Sequence, residues 1–330
     1  MRVLFLVDGD VREPSARARA YQLGPGLSAL GVDARVLGSR DRAGPGGKVR
    51  VLRESRRADV VVLQRILPPR PVLAALARVN AALVFDLDDA LYTLPSRRTR
   101  LRAVLESAVE VVAGSEEIAR HVRAVSGAVT VVPTAVDPAL YTPATGSSDG
   151  RPVRVGWIGT AGNLPFLELV RPALRELVRR GRSLDVRVIS SSFPDWPELP
   201  VTPVPWQLDG AAAALAELDV GLAPLPDTPW TRGKCGLKVI EYMATGLPVV
   251  ASPTGALSEI VLHGETGFLA ASERDWVEHI DRLVADPELR RRLGMAGRRR
   301  VEGGYSIDTA LPALVGVLER AIARARTTAA

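Results

Sequence analysis

The most informative chemistry of this chain lies in a glycine-containing loop that leads into an apolar helix. Residues 233–252 read Gly-Lys-Cys-Gly-Leu-Lys-Val-Ile-Glu-Tyr-Met-Ala-Thr-Gly-Leu-Pro-Val-Val-Ala-Ser. Gly236 permits close backbone approach to a ligand, and the helix that starts there offers free N–H groups and a positive dipole end. With Lys234 beside that end, the segment suits a diphosphate, and Glu241 is placed to accept hydrogen bonds from ribose hydroxyls. A loop and core helix with solvated charges is the alternative.

This segment resembles the donor-site motif of family-4 (group 1) retaining glycosyltransferases. The family pattern is a Glu, seven residues, a second Glu and then Ala-x-Gly-x-Pro-Val-Val-Ala. The second Glu matches Glu241, which the resemblance assigns to the donor ribose, and Gly236 and Leu237 match positions whose backbone meets the diphosphate. The first Glu, which in the family contacts the donor sugar or the reacting centre, falls on Gly233. The run Gly-Lys-Cys-Gly-Leu-Lys before Glu-Tyr-Met-Ala resembles a branch of the family in which this variant recurs.

Further stretches resemble the same family in the same order along the chain, at 113–116, 129–137, 254–261 and 264–269. The resemblance runs from Met1 to about residue 305. It implies a GT-B architecture, in which two Rossmann-like, doubly wound parallel-sheet domains face a cleft. It also implies transfer from a nucleoside diphosphate sugar to an acceptor hydroxyl with retention at the anomeric carbon.

A second glycine-containing turn, at 159–163, is a candidate phosphate cradle between a strand and a helix. It contains Gly159, Thr160, Gly162 and Asn163. Many family members place an Arg and a Lys here, and the candidates to supply that charge in this chain are Arg232 and Lys234. Together with Lys238, these residues complete the predicted donor side. A tight turn without ligand contact is the alternative.

The acidic run Asp86-Leu87-Asp88-Asp89 follows a predicted strand of the first half, where acceptor groups are expected. We predict that Asp86 and Asp88 lie on the acceptor side and that Asp88, Asp89 and Lys234 take part in catalysis. Two acids at i and i+2 also suit a metal ion, but GT-B enzymes seldom need one, so the prediction is no metal and no cofactor. The structural alternative is that Asp88 or Asp89 caps the next segment.

Two arginines that follow the first strand, Arg17 and Arg19, are candidates to meet an anionic acceptor or the donor phosphates. An amphipathic helix with solvated arginines is the alternative. A sharper basic run at 97–102 suits contact with a lipid phosphate or an anionic membrane surface, against the alternative of a solvated helix face.

The elements that must position these residues alternate between strands and helices, which favours parallel sheets. Ser15 is predicted to cap the first helix and Gly31 to end it. In the first half we predict strands at 3–7, 32–37, 60–63, 82–85, 109–113 and 129–132, and helices at 15–30, 71–78, 97–107 and 116–125. In the second half we predict strands at 153–158, 186–190, 220–223, 248–252 and 266–269, and helices at 164–180, 211–217, 236–244, 273–285, 287–301 and 307–323.

This pattern predicts an acceptor domain at 1–140, a linker at 141–151, a donor domain at 152–305 and a final helix at 306–330. The linker is rich in small and polar residues. The final helix is expected to pack back on the first domain. A chain of 330 residues is long enough for two such domains.

Composition excludes several other classes of protein. The net charge is +6, but basic residues are spread along the chain without the aromatic clustering typical of nucleic-acid binding. The apolar run at 3–7 is too short for a signal peptide, and no run suits a membrane span. Cys235 is the only cysteine, so no intramolecular disulfide can form. A cytoplasmic enzyme with weak peripheral membrane contact through the basic N-terminal domain fits these features.

Two rival functions keep the same fold. One is an inactive sugar-nucleotide-binding or partner subunit, which is suggested by Gly233 at the position of the first Glu of the motif. The other is a GT-B-like sugar-nucleotide epimerase or a phosphorylase, although no phosphate site or cofactor lysine for a phosphorylase can be located. A dinucleotide oxidoreductase is disfavoured because no Gly-x-Gly-x-x-Gly follows the first strand.

Overall fold

The computed structural model describes residues 1–143 and 150–329, so the part of the expected linker at 144–149 lies outside the described residues. The chain divides into two compact units. The N-terminal unit comprises Met1–Ala135, Arg232–Cys235 and the chain from Ile307 onward. The C-terminal unit comprises Val136–Thr231 and Gly236–Ser306.

These boundaries differ from the expected ones at three places. Residues 136–140 and Ser306 lie in the C-terminal unit, and 232–235 lie in the N-terminal unit. The first difference has a direct cause, because the Val136 amide donates to the Tyr305 carbonyl at 3.0 Å and Val136 forms a parallel bridge with Ser306. The second assigns Lys234 and the helix that follows it to different units.

The N-terminal unit is built on a six-stranded sheet in the order β2-β1-β3-β4-β5-β6. All neighbouring strands pair in parallel. The central strands are buried along their length, as expected for parallel sheets covered on both faces. The strands are β1 (Arg2–Val7), β2 (Asp33–Leu37), β3 (Val60–Gln64), β4 (Leu83–Leu87), β5 (Glu110–Ala113) and β6 (Val129–Val131).

The helices of this unit are α1 (Pro14–Arg19), α2 (Gly24–Ala29), α3 (Gly44–Arg57), α4 (Arg70–Val79), α5 (Arg98–Ser107) and α6 (Glu116–Val122). Short 3₁₀ turns lie at Tyr21–Leu23, Leu91–Thr93 and Pro95–Arg97. Helix α3 has no counterpart among the predicted elements.

The prediction of one continuous helix at 15–30 is wrong, because two short α-helices, α1 and α2, occupy this range. The chain leaves helical geometry at Ala20, where φ is −143° and ψ is −60°, and resumes at Gly24, where Pro25 occupies the first turn of α2. Ser15 does not cap α1, since the N-cap is Glu13 and no side chain caps it. The predicted stop at Gly31 does take a left-handed conformation, with φ of 72°.

The C-terminal unit is built on a second six-stranded parallel sheet, in the order β12-β11-β10-β7-β8-β9. Its strands are β7 (Val153–Ile158), β8 (Leu184–Ser190), β9 (Val201–Pro205), β10 (Val220–Ala223), β11 (Val249–Ala251) and β12 (Gly267–Leu269). Strand β9 was not predicted; it lies at the sheet edge, where Pro203 and Pro205 are tolerated. The predicted α/β fold of two parallel-sheet domains is confirmed.

Helices of the C-terminal unit are α7 (Arg171–Arg179), α8 (Ala211–Ala216), α9 (Pro229–Arg232), α10 (Leu237–Ala244), α11 (Leu257–Ile260), α12 (Glu273–Ala285) and α13 (Pro287–Gly304). The segment Ala161–Leu169 is a 3₁₀ helix, because Pro165 interrupts it, whereas a continuous α-helix was predicted over 164–180. Short helices α9 and α11 were also missed.

The last helix, α14 (Ile307–Ala329), lies in the N-terminal unit. Its apolar side chains Leu311, Leu314 and Leu318 are buried in the same core as residues of β1, β3 and α2. In the described part of the chain, no helix is both long and apolar enough to cross a bilayer.

Candidate functional site

Helix α10 is held firmly on the sheet of the C-terminal unit by Tyr242. The Tyr242 hydroxyl accepts a hydrogen bond from the Ile158 amide at 2.8 Å and donates to the Leu222 carbonyl at 3.2 Å. The residue that precedes the helix, Gly236, has φ of 71°, in the left-handed region that favours glycine. The first turn of α10 therefore starts from a fixed position, with backbone N–H groups available at its N-terminus.

Glu241 lies in the second turn of α10 and is only 7% exposed. The Tyr141 hydroxyl donates to its Oε1 at 3.2 Å. Thr245 donates to the Glu241 carbonyl at 2.8 Å, which ends the helix tightly. A buried carboxylate on a rigid helix, oriented by a phenol, is a suitable acceptor for paired ligand hydroxyls.

The turn after β7 is arranged around Trp157. Gly159 lies so close to the Trp157 ring that an added Cβ would be 2.5 Å from it, so this position needs glycine. The Asn163 side chain donates to the Thr160 hydroxyl at 3.1 Å, and the Asn163 amide donates to the Thr160 carbonyl. Gly162 faces open space. The geometry leaves both predicted roles of this turn, as a phosphate cradle and as a plain turn, open to test.

Lys238, on the first turn of α10, also contacts Trp157. Its Nζ is 4.2 Å from the Trp157 ring centroid, a cation–π contact. The C-terminal unit thus contains five predicted donor-side features. They are Gly236 at the N-cap of α10, Leu237, Lys238 and Glu241 on that helix, and the 159–163 turn, which follows the strand that Tyr242 contacts.

Arg232 and Lys234 are placed differently, in the N-terminal unit. Arg232 is exposed. The Lys234 ammonium lies 3.6 Å from Asp89 Oδ1, and the side chains are 22% and 15% exposed. Lys234 therefore forms an ion pair with Asp89, a contact that the spacing of residues in the sequence did not reveal.

The acidic run after β4 lies in line with the ends of two neighbouring strands. In the parallel ladders Asp86 pairs with Gln64 of β3, and Gln64 pairs with Val7 of β1. Asp88 accepts hydrogen bonds from the Ser15 hydroxyl and from Gln64 Nε2, the latter at 3.2 Å. The prediction that Asp88 or Asp89 caps the next segment is wrong, because Ala90 occupies the N-cap of the following 3₁₀ turn and no side chain caps it.

Asp86 is bound by Arg19 rather than by solvent. Arg19 donates from Nε and Nη2 to the two Asp86 oxygens at 3.0 and 2.8 Å, and from Nη1 to the Val132 carbonyl at 2.7 Å. Burial alone lowers the pKa of Arg19, but the carboxylate of Asp86 outweighs it and the net shift is upward. The alternative of solvated arginines is wrong, since Arg17 and Arg19 are 7% and 4% exposed. An acceptor role for Arg17, Arg19 and Asp86 stays a prediction.

Arg65 is the member of this site that the sequence interpretation missed. It follows β3 directly, and its guanidinium lies 2.5 Å from Asp89, 3.5 Å from Glu13, 3.9 Å from Asp88 and 4.0 Å from Asp8. Among the residues that the structure describes, it is the one non-glycine with positive φ, at 56°. Such backbone strain concentrates at functional sites. Its position at the carboxyl end of a parallel strand was the available signal.

The ionisation of Asp89 reflects this setting. Burial and the neighbouring Asp88 charge raise the pKa of Asp89, while Lys234 and Arg65 oppose the rise. Within 1–143 and 150–329, no group of three or more His, Cys, Asp or Glu side chains is arranged to hold a metal ion. The arrangement is therefore a charged hydrogen-bonding cluster that fixes two cations against carboxylates.

Comparison with known proteins gives a family match over part of the C-terminal unit. Residues 172–286 match the family model described as "Glycosyl transferases group 1". The matched family is that of the group 1 glycosyltransferases. Its matched segment contains the whole of α10, including Glu241.

Curated glycosyltransferases are similar to parts of this chain. D-inositol 3-phosphate glycosyltransferase of Nocardia farcinica is 27% identical over 235 residues, which are 61% of this chain and 50% of that protein. MMP alpha-(1->4)-mannosyltransferase of Mycolicibacterium hassiacum is 30% identical over 210 residues, 59% of this chain and 49% of that protein. The chain spans about half the length of these curated relatives.

Solved structures of glycosyltransferases share the fold across nearly the whole chain. Sucrose-phosphate synthase from Thermosynechococcus elongatus superposes with a TM-score of 0.74 at 18% identity, covering 98% of this chain and 100% of that one. Anabaena HepE, solved with UDP and glucose, gives 0.71 at 15% identity, covering 97% and 99%. Together with the two parallel sheets, these likenesses show the GT-B fold.

Proposed function

We propose that this chain transfers a glycosyl unit from a nucleoside diphosphate sugar to an acceptor hydroxyl. The observation that carries the proposal is the geometry of α10: a left-handed Gly236 opens the helix, and a buried Glu241, oriented by Tyr141, lies one turn further on. This helix lies within the segment that matches the group 1 family.

The donor roles follow from the chemistry of each group. The backbone N–H groups of Gly236 and Leu237 and the positive end of α10 bind the diphosphate. Glu241 accepts hydrogen bonds from the ribose hydroxyls. Lys238, fixed over Trp157, adds positive charge to the first turn of the same helix. Arg232 and the turn at 159–163 complete the donor side of the proposal.

The proposed reaction proceeds with retention, as the resemblance to family-4 enzymes implies. The diphosphate departs through an oxocarbenium-like transition state. Lys234, two residues before Gly236 in the chain, stabilises the negative charge that develops on the leaving group. Asp88 acts on the acceptor side, where a carboxylate orients the attacking hydroxyl or takes up its proton, and Asp89 takes part in catalysis beside Lys234.

The proposal includes no metal and no cofactor, so turnover is expected to persist in EDTA. It also places the protein in the cytoplasm. The single Cys235 supports this location, since a chain that forms no intramolecular disulfide suits a reducing compartment.

A nucleotide-binding panel tests the donor site directly. Thermal-shift and calorimetric titrations use UDP, GDP, ADP, UDP-glucose and GDP-mannose. One nucleotide at about 100 times its Kd is expected to stabilise the protein by about 2.7 kcal/mol, which raises the melting temperature by several degrees. Glu241→Ala is expected to abolish the shift, because a buried acceptor for ligand hydroxyls is removed.

The matched control for this panel is Glu265→Ala, an exposed glutamate of the same unit, which should keep the full shift. If no nucleotide shifts well-folded protein up to millimolar concentration, the glycosyltransferase proposal fails. Binding and turnover of a nucleotide sugar without transfer to any hydroxyl acceptor would favour the epimerase instead. Binding without any turnover would favour an inactive partner subunit.

We also propose weak contact between the N-terminal unit and an anionic membrane surface. Helices α3, α4 and α5 carry ten Lys and Arg against two Glu, which is more positive charge than the net +6 of the whole chain. Exposed apolar side chains lie among these charges, with Val49 66% and Val72 45% exposed. Basic side chains near an anionic bilayer contribute about 1 kcal/mol each.

Vesicle co-sedimentation tests this contact. The wild type is expected to bind vesicles of phosphatidylglycerol and phosphatidylcholine, to release in high salt and to ignore pure phosphatidylcholine. A triple Ala variant should bind at least tenfold more weakly; it replaces Arg50, Arg98 and Arg100. The matched control replaces exposed arginines of α13, namely Arg291, Arg292 and Arg299. Equal loss in both variants would show a non-specific charge effect and refute the assignment to this face, as would a preference for duplex DNA over the vesicles.

A further inference from the structure

Gly233 occupies a position that has no room for a side chain. A Cβ added there would overlap the Ala90 Cβ and would lie 2.9 Å from the Ala90 nitrogen and 3.0 Å from its Cα. Two of these neighbours are backbone atoms, which cannot rotate away. A glutamate at this position would therefore displace the chain at 89–91.

Cys235 is seated on the same part of the N-terminal unit. Its thiol contacts the Asp88 carbonyl at 3.3 Å, and a Cβ added at Gly114 would lie 2.5 Å from its sulfur. Burial raises the pKa of this thiol. The two residues that flank Lys234 are thus both packed against the segment 88–90 or its neighbour Gly114, so the backbone of Lys234 is fixed from both sides.

The Lys234 side chain is fixed as well. Asp89 Oδ1 lies 3.6 Å from the Lys234 ammonium, and Asp89 Oδ2 lies 2.5 Å from Arg65 Nη1. Each oxygen of one carboxylate therefore contacts a different cation. Since Arg65 is held in a strained backbone conformation and reaches three more carboxylates, Asp89 is oriented by a rigid neighbour.

We infer that Asp89 is a positioning residue for Lys234, and that the close packing of Gly233 on Ala90 sets the backbone that this ion pair needs. The residue before Lys234 is a glycine, and the acid that accompanies Lys234 comes from the segment that follows β4. This inference rests on the proposed function, in which Lys234 stabilises the leaving diphosphate.

The first test measures release of nucleoside diphosphate from the nucleotide sugar that binds in the panel. Lys234→Ala should lower kcat by about 10²–10³-fold, as removal of a group that stabilises transition-state charge does. Asp89→Asn should lower kcat about tenfold with KM for the donor changed less than about twofold, because it misplaces a group that acts in the transition state. In the Lys234→Ala background, Asp89→Asn should have almost no further effect on kcat.

Asp33→Asn, an exposed acid of β2, is the matched control and should leave kcat and KM unchanged. If the kcat losses of Asp89→Asn and Lys234→Ala multiply, the two residues act independently and the inference is overturned. If the wild type binds no nucleotide, the proposed function fails on its own. In that case the melting temperatures of the wild type, the two single variants and the double variant still decide whether Asp89 and Lys234 are energetically coupled.

The second test addresses the packing of Gly233. Gly233→Ala should lower the melting temperature by about 5 °C, and the double variant with Ala90→Gly should recover part of the loss because the Ala90 Cβ is gone. Gly127→Ala is the control, since an added Cβ meets nothing within 4 Å there. A Gly233→Ala protein as stable and as active as the wild type, or no recovery in the double variant, would overturn the packing step.

Discussion

Replacing Arg19 by alanine is expected to cost about 3–5 kcal/mol of folding free energy, because it leaves the Asp86 carboxylate buried without its cation. The two side chains are 4% and 2% exposed and share a bidentate contact at 3.0 and 2.8 Å. For a unit of this size the loss corresponds to a fall of roughly 10 °C in melting temperature. Differential scanning calorimetry measures both quantities.

The folding free energy lost in Arg19→Ala should depend on pH, and the ionisation of Asp86 sets the direction of that dependence. Burial raises the pKa of Asp86, and in the wild type Arg19 opposes that rise. Without Arg19, the folded state retains the neutral acid while the unfolded state titrates near the ordinary value. A group whose pKa is raised on folding loses its stabilising contribution as pH rises, so Arg19→Ala should be less destabilised at pH 5 than at pH 8.

The control is Arg120→Ala, which removes an exposed ion pair with Glu117 and should cost at most about 1 kcal/mol. A second variant, Arg19→Leu with Asp86→Leu, should recover much of the lost stability, because apolar residues can replace a buried pair. An Arg19→Ala protein that melts within a degree of the wild type at pH 8 would contradict the prediction.

The fold could be predicted from the sequence wherever buried strands form continuous apolar runs. β1 and β3 are of this kind, and their predicted ends lie close to the observed ones. A strand that is buried on both faces has apolar residues at nearly every position, so the strands of parallel sheets stand out in the sequence as continuous apolar runs. The glycine-punctuated segment around α10 was equally readable, since its cap, helix and following strand are all local features.

Helix α3 could not be predicted because it has no apolar stripe. It starts with Gly44-Pro45-Gly46-Gly47 and continues with mostly basic residues, and its buried positions are Gly47, Glu54 and Ser55. Its position is decided by tertiary contacts rather than by periodicity; Glu54, for example, pairs with Arg35 of β2 at 2.7 Å. Strand β9 was missed for the opposite reason, since its prolines argue against a strand anywhere but at an edge.

The candidate site also has a part that the sequence could predict and a part that it could not. Local spacing was enough to place Gly236 at the start of a short helix and Glu241 within it. No spacing rule could relate Cys235 to Asp88, which is 147 residues away in the sequence, or reveal that Ala90 fills the space beside Gly233. Such contacts depend on where two separate strands end, and that is known only once the sheet order is known.

Gly294→Ala is expected to destabilise the C-terminal unit by about 3 kcal/mol or more, with a fall of several degrees in melting temperature. Gly294 lies on α13, where a Cβ would overlap the Gly246 carbonyl oxygen and lie 2.8 Å from the Gly246 carbonyl carbon. These neighbours are backbone atoms of the turn between α10 and β11, so the clash is relieved only by moving a helix.

The same displacement should reach the proposed donor site on α10. Helix α13 packs directly on α10, and Gly297 on the next turn lies against Met243 of that helix. A shift of α10 moves Glu241 relative to Tyr141 and changes the position of the helix N-terminus. Nucleotide affinity, measured by calorimetry on the folded variant, should therefore fall at least tenfold, since a displacement of about 1 Å in a positioning element can cost 10²-fold.

The matched control is Gly303→Ala on the same helix, where an added Cβ meets nothing within 4 Å. There the change should have the opposite sign: alanine favours the helix over glycine by about 0.5–1 kcal/mol, so the variant should melt slightly higher and bind nucleotide normally. Equal behaviour of the two variants would show that α13 does not support α10 through this contact. A stable Gly294→Ala protein with unaltered affinity would show that the turn at Gly246 yields without moving the helix that carries Glu241.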